Sequence, residues 1–432
     1  MSAFKPVRGM RDLLPEEARI MRFIEEQARK TAQLYGYKEI ITPVVESYEL
    51  VAAKAGEEVR LRMYAFEDLG GRKVALRPEF TASVARLVAT TLRNEPKPIR
   101  LFCIGSLYRY DEPQKGRFRE FWQSNFELMG SEKPEADAEV LLLTNRFMKS
   151  VGLKNIMFKV GHVGVLRSIL SQEGLVEEAQ NQAMQRMDKK LYEEALKIVR
   201  EAGASEKGIQ TLKSLIDLKG EDAAEVLEKM MEIVKDYPEA VNAVNNLGEI
   251  LSLVADAGEK TNITVDAGFA RGLEYYTGII FEVYVPELDI ALAGGGRYNK
   301  LVELFGGEPT PAVGVAHGID RIMLALQEQK AEINVKETRP VMIIPVSENL
   351  NAEALKIAEL LRGENIPVEL EVMGRKVSKA LEDADRRGIS HVVIIGEKEL
   401  KENAVVLRNM QKKEQTTVKI GELAKTLKTQ IS

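Results

Sequence analysis

Two long strand-like segments joined by a polar turn constrain the fold of this chain more than any other feature of its sequence. The first segment is apolar and runs from Ile99 to Tyr108, and the second runs from Arg117 to Met129. The turn between them reads Asp-Glu-Pro-Gln-Lys-Gly, which is polar and contains residues that favour chain reversal. The sequence therefore predicts a long antiparallel hairpin.

The second segment alternates in polarity with a period of two, so its two faces differ in composition. One face carries Phe118, Trp122, Phe126 and Leu128, and the other carries Arg117, Arg119, Gln123, Asn125 and Glu127. A solvated outer face is the usual explanation of such alternation. However, solvent faces favour Lys and Thr over a row of Gln, Asn and Glu beside arginines, so we interpret the polar face as a binding site. Arg109 adds a planar cation near the turn, which favours a phosphate ligand.

Composition limits the class of protein. The chain has 432 residues, 45% hydrophobic and 29% charged, which indicates a globular protein of two or three domains. Its formal net charge is -5, so any nucleic acid must bind to local basic surfaces. The single cysteine, Cys103, and three widely spaced histidines give no disulfide framework and no zinc signature, so no metal site is predicted. Without a signal segment or membrane span, we expect a cytoplasmic protein.

Periodicity divides the rest of the chain into segments of different character. A helix is predicted from Pro15 and closed by Gly36, and Tyr37 to Val45 is predicted as a strand interrupted by Pro43. Such an edge strand is expected to face a partner subunit. Residues 166–257 are rich in Glu, Lys, Ala, Leu and Met, with helical periodicity and no strand candidates, which predicts an inserted helical module.

Strand signals return after this module, at Ile263 to Val265 and Ile279 to Val285, so the first domain is expected to resume there. Residues 329–340 are predicted to be a charged linker. Strands and helices then alternate, which predicts a small α/β domain over residues 341–432. Its predicted elements are strand Val341 to Val346, helix Ala352 to Leu361, strand Val368 to Val372, helix Ser378 to Arg387 and strand His391 to Ile395.

Shorter motifs leave some alternatives open. Arg77-Pro-Glu79 with Thr81 is typical of a helix start, with Thr81 or Glu79 as the cap. The segment Asp266–Gly278 places charges, paired tyrosines and glycines between two strands, which favours a functional loop. The three glycines from Gly294 indicate either close approach of a ligand or an ordinary turn, and no Walker sequence follows them. Pro311 to Arg321 fits a nucleotide shelf and a tight strand-to-helix turn equally well.

These motifs together resemble the histidyl-tRNA synthetase family, in order and spacing across nearly the whole chain. The matching segments are Arg77-Pro-Glu-Phe-Thr81, Tyr108-Arg-Tyr-Asp-Glu-Pro-Gln-Lys-Gly-Arg117, Arg271-Gly-Leu-Glu-Tyr-Tyr-Thr-Gly278, Ala293-Gly-Gly-Gly-Arg-Tyr298 and Gly318-Ile-Asp-Arg321. The Arg271 segment is the specific one, because the other motifs are shared more widely among class II synthetases.

The resemblance implies an α+β catalytic core, built as an antiparallel sheet flanked by helices, over residues 1–165 and 258–328. It also implies a helical insertion over 166–257 near the tRNA acceptor stem, and a C-terminal α/β anticodon-binding domain over 341–432. Pro43 would lie in the dimer-interface motif, so a homodimer is implied.

The chemistry implied is attack of the histidine carboxylate on the α-phosphorus of ATP, followed by transfer of histidine to the terminal adenosine of the histidine tRNA. Arg109 and Arg271 would be catalytic at the α-phosphate. Arg117 and Arg321 would hold the outer phosphates, with Mg²⁺ sharing that charge. The implied histidine-binding residues are Glu79, Thr81 and Gln123 at the amino group, Glu127 and Tyr276 at the imidazole, and Tyr275. Gln114 and Lys115 would meet the acceptor end of the tRNA.

Two positions depart from the family pattern, and three other classes of protein are alternatives. Phe80 stands where many relatives have glycine, and His317 where many have an apolar residue. The regulatory subunit of ATP phosphoribosyltransferase resembles the same core, but it lacks the C-terminal domain and often the intact arginine segment. The segment from Arg271 to Gly278 speaks against a class II synthetase for another amino acid. A pure RNA-binding module would need a basic surface studded with aromatic residues.

Overall fold

The computed structural model describes residues 4–53, 55–333 and 339–431. The chain forms two compact units, Met1–Asn334 and Val335–Ser432. The expected linker, residues 329–340, overlaps the boundary, but its residues 334–338 lie outside the described residues.

The first unit combines a large sheet with many helices. Its elements up to residue 162 are α1 (Pro15–Leu34), β1 (Lys38–Glu39), β2 (Val45–Ser47), α2 (Tyr48–Ala52), α3 (Glu57–Leu61), β3 (Ala65–Glu67), β4 (Lys73–Leu76), α4 (Thr81–Ala89), β5 (Ile99–Tyr108), β6 (Glu120–Met129), α5 (Pro134–Ser150) and β7 (Met157–His162). A helical stretch follows with α6 (Val163–Gln172), α7 (Glu177–Asp188), α8 (Tyr192–Glu201), α9 (Glu206–Ile216), β8 (Lys219–Gly220), α10 (Ala223–Val234) and α11 (Pro238–Asp256). The unit closes with β9 (Asn262–Asp266), β10 (Ile279–Val285), β11 (Leu288–Arg297), α12 (Leu301–Leu304), β12 (Ala312–Gly318) and α13 (Ile319–Glu328).

The first helix begins and ends where its sequence predicts. Pro15 occupies the first turn, where its missing N–H removes no hydrogen bond, and Glu16 and Glu17 complement the helix dipole. The helix ends at Leu34, and Gly36 then adopts a φ of 74°, which favours glycine. The predicted helix is therefore confirmed.

A nine-stranded sheet forms the centre of the first unit, in the order β1-β5-β6-β12-β11-β10-β7-β9-β8. The predicted hairpin is confirmed, since β5 and β6 pair antiparallel from Ile99 opposite Met129 to Tyr108 opposite Glu120. The second strand begins at Glu120, so the prediction that it begins at Arg117 is wrong. Arg117 instead pairs with Gln114 in an isolated bridge that tightens the turn.

The predicted strand from Tyr37 to Val45 is wrong as a continuous element. Lys38–Glu39 pairs with β5, Val45–Ser47 joins a separate three-stranded sheet, and Pro43 lies between them outside both strands. Proline lacks the N–H that a continued ladder would need. The Arg77 guanidinium donates instead to the carbonyl of Thr42, at 2.7 Å, and to the carbonyl of Pro43, at 3.3 Å.

The core lies on one face of the large sheet. Side chains from α1, α5 and α13 pack there against β6, and Ile24, Leu141, Ile322 and Phe126 are all buried to 0% exposure. Burying apolar side chains of this size contributes roughly 1.5–3 kcal/mol each before the entropy of ordering them is counted. The opposite face of the central strands is left for polar groups.

The stretch from α6 to α11 is almost entirely helical, and its apolar positions face inward, as Leu212 and Leu247 show with 0% exposure. The sequence offered no strand candidate here, and that interpretation is wrong for Lys219–Gly220. This short strand, β8, pairs antiparallel with β9 at the end of the large sheet. Two residues are too few to show a period-two pattern.

The second unit is a five-stranded sheet with helices, in the order β14-β13-β15-β16-β17. Its elements are β13 (Val341–Pro345), a 3₁₀ turn (Glu348–Leu350), α14 (Asn351–Gly363), β14 (Val368–Leu370), α15 (Val377–Arg386), β15 (His391–Ile395), α16 (Glu397–Lys401), β16 (Ala404–Asn409), β17 (Glu414–Lys419) and α17 (Ile420–Ile431). The three predicted strands and two predicted helices are confirmed. The three strands form the parallel part of the sheet.

None of the helices within the described ranges is long and apolar enough to cross a membrane.

Candidate active site

A cavity of about 490 Å³ opens over the polar face of the large sheet, across the neighbouring strands β6, β12, β11 and β10. Ten of the residues predicted to bind ATP or histidine line it: Glu79, Thr81, Arg109, Arg117, Gln123, Glu127, Arg271, Tyr275, Tyr276 and Arg321. These residues come from five separate stretches of the chain. The sheet brings them together because its central strands are neighbours in space and not in sequence.

The space for the cavity is made by small residues on β12. Gly314 lies opposite Glu127, Ala316 opposite Asn125, and Gly318 opposite Gln123. Each of these polar side chains of β6 therefore lies opposite a glycine or an alanine of β12, which leaves open space beside it. A Cβ atom at Gly314 would lie 1.7 Å from Glu127 Oε2, so only glycine fits at that position.

Two of the arginines are held in the cavity by backbone carbonyls. Arg109, just after β5, donates from Nε to Pro78 O at 2.9 Å. Arg321, in the first turn of α13, donates from Nη1 to Ala291 O at 2.7 Å and from Nε to Gly116 O at 3.3 Å. These bonds fix the guanidiniums without neutralising their charge.

The cluster carries an excess of positive charge. Burial, with the neighbouring cations Arg117 and Arg109, lowers the pKa of Arg321 to about 10. Burial also lowers the pKa of Arg109. Across the described residues, Arg109, Arg117 and Arg321 have no carboxylate within salt-bridge distance. Cations held this close together favour a multiply charged anion, and a polyphosphate fits that requirement.

Arg271 has a different environment, because it is paired with a carboxylate. Its Nη1 donates to Glu282 Oε1 at 3.1 Å, and Lys159 Nζ lies 3.6 Å from the other oxygen of Glu282. Burial opposes the charged form of Arg271, but Tyr276 and Glu282 raise its pKa above the usual range. Arg271 thus remains charged, and its guanidinium is held in a fixed position.

The three glycines from Gly294 lie in strand β11, and one of them makes room for Arg271. A Cβ atom at Gly294 would lie 2.2 Å from Arg271 Nη1, and one at Gly295 would lie 2.3 Å from Gly314 O. The alternative of an ordinary turn is therefore wrong, because these glycines permit close packing inside the sheet. The following residue, Arg297, is buried against Asp137 at 2.7 Å and anchors the strand.

Glu127 is the most deeply buried carboxylate of the cavity, with 1% of its surface exposed. Its Oε1 accepts a hydrogen bond from Thr81 Oγ1 at 2.8 Å, and its Oε2 accepts one from the Tyr298 hydroxyl. Burial raises the pKa of Glu127 to about 7, although these hydroxyls partly offset the effect. A carboxyl group with this pKa changes protonation state near neutral pH.

Glu79 caps a helix at the edge of the same cavity. Its two carboxylate oxygens accept from the backbone N–H groups of Thr81 and Ala82, at 2.7 and 2.8 Å. The capping role proposed from the sequence is therefore confirmed for Glu79. Burial raises the pKa of this carboxyl, and the two N–H groups partly counteract that shift.

The loop that carries Arg271 also contributes two tyrosines. The rings of Tyr275 and Tyr276 lie 4.9 Å apart, and Tyr275 lies 5.7 Å from the ring of Tyr298. Tyr276 is 6% exposed, and Arg271 lies 5.8 Å from its ring centre. The tyrosines therefore lie beside Arg271 on one side and beside Tyr298, the hydroxyl partner of Glu127, on the other.

Two predicted residues lie outside the cavity. Gln114 and Lys115 are exposed in the hairpin turn, as a contact with a large partner would require. Lys115 Nζ contacts Glu328 Oε1 at 2.6 Å, which ties the turn to the end of α13.

The expected alternation fails at the start of the second hairpin strand. Phe118, expected on the apolar face, lines the cavity, whereas Arg119, expected on the polar face, is 5% exposed and stacks on Tyr110 at 3.6 Å. Both residues precede the first residue of β6, so strand periodicity does not apply to them.

Several cavity residues were not assigned a ligand from the sequence, among them Tyr298, Glu282 and Asn125. Tyr298 and Glu282 contact the predicted residues Glu127 and Arg271, and Asn125 lies between Gln123 and Glu127 on the polar face. Asn125 was visible in the alternation pattern. Glu282 lies on β10, and Tyr298 directly follows β11. Only the fold shows that these strands lie beside the rest of the site.

The two departures from the family pattern both belong to the core. Phe80 is 1% exposed and packs in a cluster below α4, with the Arg77 guanidinium 4.5 Å from its ring. His317 is 0% exposed, and its ring packs edge-on against Phe126 and Phe147. Burial lowers the pKa of His317 to about 3, so this imidazole stays neutral.

Among the residues that the structure describes, no group of three or more His, Cys, Asp or Glu side chains is arranged to hold a metal ion.

Comparison with known proteins gives matches along nearly the whole chain. The family model for histidyl-tRNA synthetase matches residues 9–322, and the model for an anticodon binding domain matches residues 340–430. The histidine–tRNA ligase of Methanocaldococcus jannaschii is 44% identical over 422 residues, covering 97% of this chain and 98% of that protein. The histidine–tRNA ligase of Sulfolobus acidocaldarius is 39% identical over 428 residues, covering 99% of each.

Solved structures agree with the sequence comparisons. The apo histidyl-tRNA synthetase of S. aureus superposes with a TM-score of 0.70 at 28% identity, over 98% of this chain and 99% of that one. A Bacillus halodurans structure, described as an ATP phosphoribosyltransferase regulatory subunit/histidyl-tRNA synthetase, gives a TM-score of 0.75 at 27% identity, over 89% and 97%. The match to the family model and the long alignments to these relatives lead to one conclusion: the chain belongs to the histidyl-tRNA synthetase family.

Proposed function

We propose that this protein is a histidine–tRNA ligase, which activates histidine with ATP to histidyl-adenylate and transfers it to the 3′ terminal adenosine of its tRNA. The observation that carries the proposal is the joining of two unlike sites in one cavity. Arginines without carboxylate partners lie at one end, and a buried carboxylate with hydroxyl donors lies at the other. The first end suits a triphosphate, and the second suits a small polar ligand such as histidine.

In the activation step, the carboxylate of histidine attacks the α-phosphorus and pyrophosphate leaves. Arg109 and Arg271 are proposed to be the catalytic residues, holding the α-phosphate and stabilising the negative charge that grows on it in the transition state. Support comes from their fixed positions, held by the Pro78 carbonyl and by Glu282. Because both stay protonated, neither has to exchange a proton during the reaction.

Arg117 and Arg321 are proposed to bind the outer phosphates and the departing pyrophosphate. The depressed pKa of Arg321 supports this role, because an anion placed between crowded cations relieves their repulsion. Mg²⁺ is proposed to enter with ATP and to neutralise part of the phosphate charge. Magnesium commonly binds through phosphate oxygens, which fits a cavity where the described side chains form no metal cluster.

Histidine is proposed to bind across β6. Glu79, Thr81 and Gln123 would accept hydrogen bonds from its α-amino group, and a carboxylate such as Glu79 has lone pairs beyond the two that cap α4. Glu127 and Tyr276 would each contact one imidazole nitrogen, with Tyr275 beside them. Because Glu127 is buried, a ligand without a matching donor would leave it unpaired, which disfavours other amino acids.

Contacts with tRNA are proposed for three parts of the chain. Gln114 and Lys115 are exposed in the turn next to Arg117, where they would meet the acceptor end. The α/β unit over 341–432 is proposed to bind the anticodon, and the match of an anticodon binding domain supports this. The helical insertion over 166–257, set between the core segments 1–165 and 258–328, is proposed to lie near the acceptor stem.

We also propose that the protein is a homodimer. Support comes from exposed apolar side chains on and beside the three-stranded sheet next to Pro43: Ile41 is 92% exposed, Phe66 46% and Val45 44%. Large apolar side chains grouped in this way mark interaction surfaces. Sedimentation equilibrium is expected to give twice the chain mass of 48.3 kDa. A monomer at micromolar concentration would contradict the proposal.

The decisive experiment is pyrophosphate exchange into ATP, with each amino acid supplied singly, because exchange reports adenylate formation without tRNA. Exchange with histidine alone is expected. Exchange with another amino acid would contradict the assignment of Glu127 to imidazole. No exchange with any amino acid would favour a regulatory relative over an enzyme.

A further inference from the structure

The helical stretch that interrupts the sheet reaches into the active-site cavity. Asp188 and Lys189, at the C-terminal end of α7, line the cavity together with Arg271 and Gly272. No motif of the sequence pointed to these residues. The helical stretch is thus part of the site that activates histidine, and not only a neighbour of it.

One face of α7 rests on the Arg271 loop. Gln185, Asp188 and Lys189 are three and four positions apart, so they project from the same side of the helix. Gln185 Nε2 donates to Glu274 Oε1 at 3.4 Å, three residues beyond Arg271. Other side chains of α7, such as Met184 and Met187, are buried in the core. The helix is therefore anchored on one side and contacts the catalytic loop on the other.

The carboxylate of Asp188 lies so close to the loop that a side chain at Gly272 would displace it. A Cβ atom at Gly272 would lie 2.8 Å from Asp188 Oδ2. The chain reverses directly after the helix, with Lys190 at a φ of 59° and the Leu191 N–H donating to Arg186 O at 2.9 Å. This reversal ends α7 at Asp188, and the carboxylate of Asp188 lies next to the loop.

A carboxylate is electrostatically unfavourable at this end of a helix, because the dipole is negative there. The cation of Arg271 compensates, and Asp188 is one of the groups that raise the pKa of Arg271. Glu282, on β10, approaches the same guanidinium at 3.1 Å. Arg271 is therefore paired with a carboxylate of the sheet and also feels the charge of a carboxylate of the helical stretch.

We propose that Asp188 is a positioning residue for Arg271, through which the helical stretch sets the orientation of the guanidinium toward the α-phosphate. The inference rests on the proposed function of the site. Asp188 would act in the transition state and not in substrate binding, because it lies beside the Arg271 loop and its charge favours the cationic form of Arg271. Its loss should therefore lower kcat and leave both KM values almost unchanged.

The test is Asp188→Asn, which keeps the size of the side chain and removes its charge. We expect kcat for histidine-dependent pyrophosphate exchange to fall about tenfold, with KM for ATP and histidine within about twofold of the wild type. Glu178→Gln is the matched control, because Glu178 is an exposed carboxylate on the same helix that accepts a hydrogen bond from Gln182 and does not line the cavity. This control is expected to behave like the wild type.

A double-mutant cycle distinguishes positioning from a general structural role. In an Arg271→Lys background, Asp188→Asn is expected to have little further effect, because the group it positions is already altered. Gly272→Ala, which would displace the Asp188 carboxylate, should reproduce the loss of kcat in the wild-type background.

Unchanged kcat in Asp188→Asn would overturn the inference, and so would an equal loss in the wild-type and Arg271→Lys backgrounds. Loss of the thermal unfolding transition in Asp188→Asn, with Gly272→Ala folded and fully active, would overturn it as well. Failure of the proposed function has a different signature, because the wild-type protein itself would then show no histidine-dependent exchange.

Discussion

At the scale of single residues, Glu127 is the most deeply buried carboxylate of the cavity and carries a charge that the proposed function needs. Its pKa is raised to about 7 by burial, above the usual 4.5 of a glutamate. The folded protein therefore binds this proton more tightly than the unfolded chain does. The resulting stabilisation is complete below about pH 4.5 and is lost as pH rises through 7.

Replacing Glu127 by glutamine should remove the cost of burying an ionised carboxylate. At pH 8, where the wild-type carboxylate is ionised and buried, we expect Glu127→Gln to raise the free energy of unfolding by up to about 3 kcal/mol. The difference should shrink toward zero near pH 4.5. Urea unfolding of both proteins at the two pH values measures it, and a difference that does not change with pH would contradict the burial argument.

The same variant separates recognition from stability. If Glu127 accepts the imidazole N–H, Glu127→Gln should raise KM for histidine at least about tenfold while KM for ATP changes little. Glu120→Gln, on the same strand, is the control, because Glu120 accepts from Tyr108 at 2.9 Å and does not line the cavity. Equal increases in both KM values would indicate a structural role for Glu127.

At the scale of elements, the sequence correctly predicted the helices and strands that depend on local patterns. The helix from Pro15 and the hairpin of β5 and β6 formed as expected, because capping and alternation act over neighbouring residues. The polar face of β6 was also visible, and its Gln123, Asn125 and Glu127 all line the cavity. The prediction failed just before the strand begins, since Phe118 and Arg119 follow the path of the turn and not the period of the sheet.

Other parts of the site depended on contacts that no local pattern contains. Gly314 is required by an oxygen of Glu127 from the neighbouring strand, and Gly294 by the guanidinium of Arg271. A glycine in a strand signals close approach, but the sequence does not say of which group. Asp188 is a stronger example, because this helical residue stands more than eighty positions before Arg271 and reaches the cavity only through the fold.

At the scale of the whole molecule, the two compact units have separate cores. Phe126 and Leu141 belong to the core of the first unit, and Ile343 and Leu361 to that of the second. The described residues that line the cavity all belong to the unit Met1–Asn334. We therefore propose that histidine activation resides in the first unit of the chain and recognition of the tRNA anticodon in the second.

This division predicts the behaviour of a chain that ends at residue 333. Because its core and its cavity are complete, we expect it to fold and to retain histidine-dependent pyrophosphate exchange within about threefold of the full chain. Transfer to tRNA should fall at least about a hundredfold in kcat/KM, since contacts worth about 3 kcal/mol or more would be lost. Exchange and aminoacylation assayed on the same preparation test both statements. Parallel loss of the two activities would show that the second unit supports the catalytic site itself, whereas full aminoacylation would contradict its proposed role in binding the anticodon.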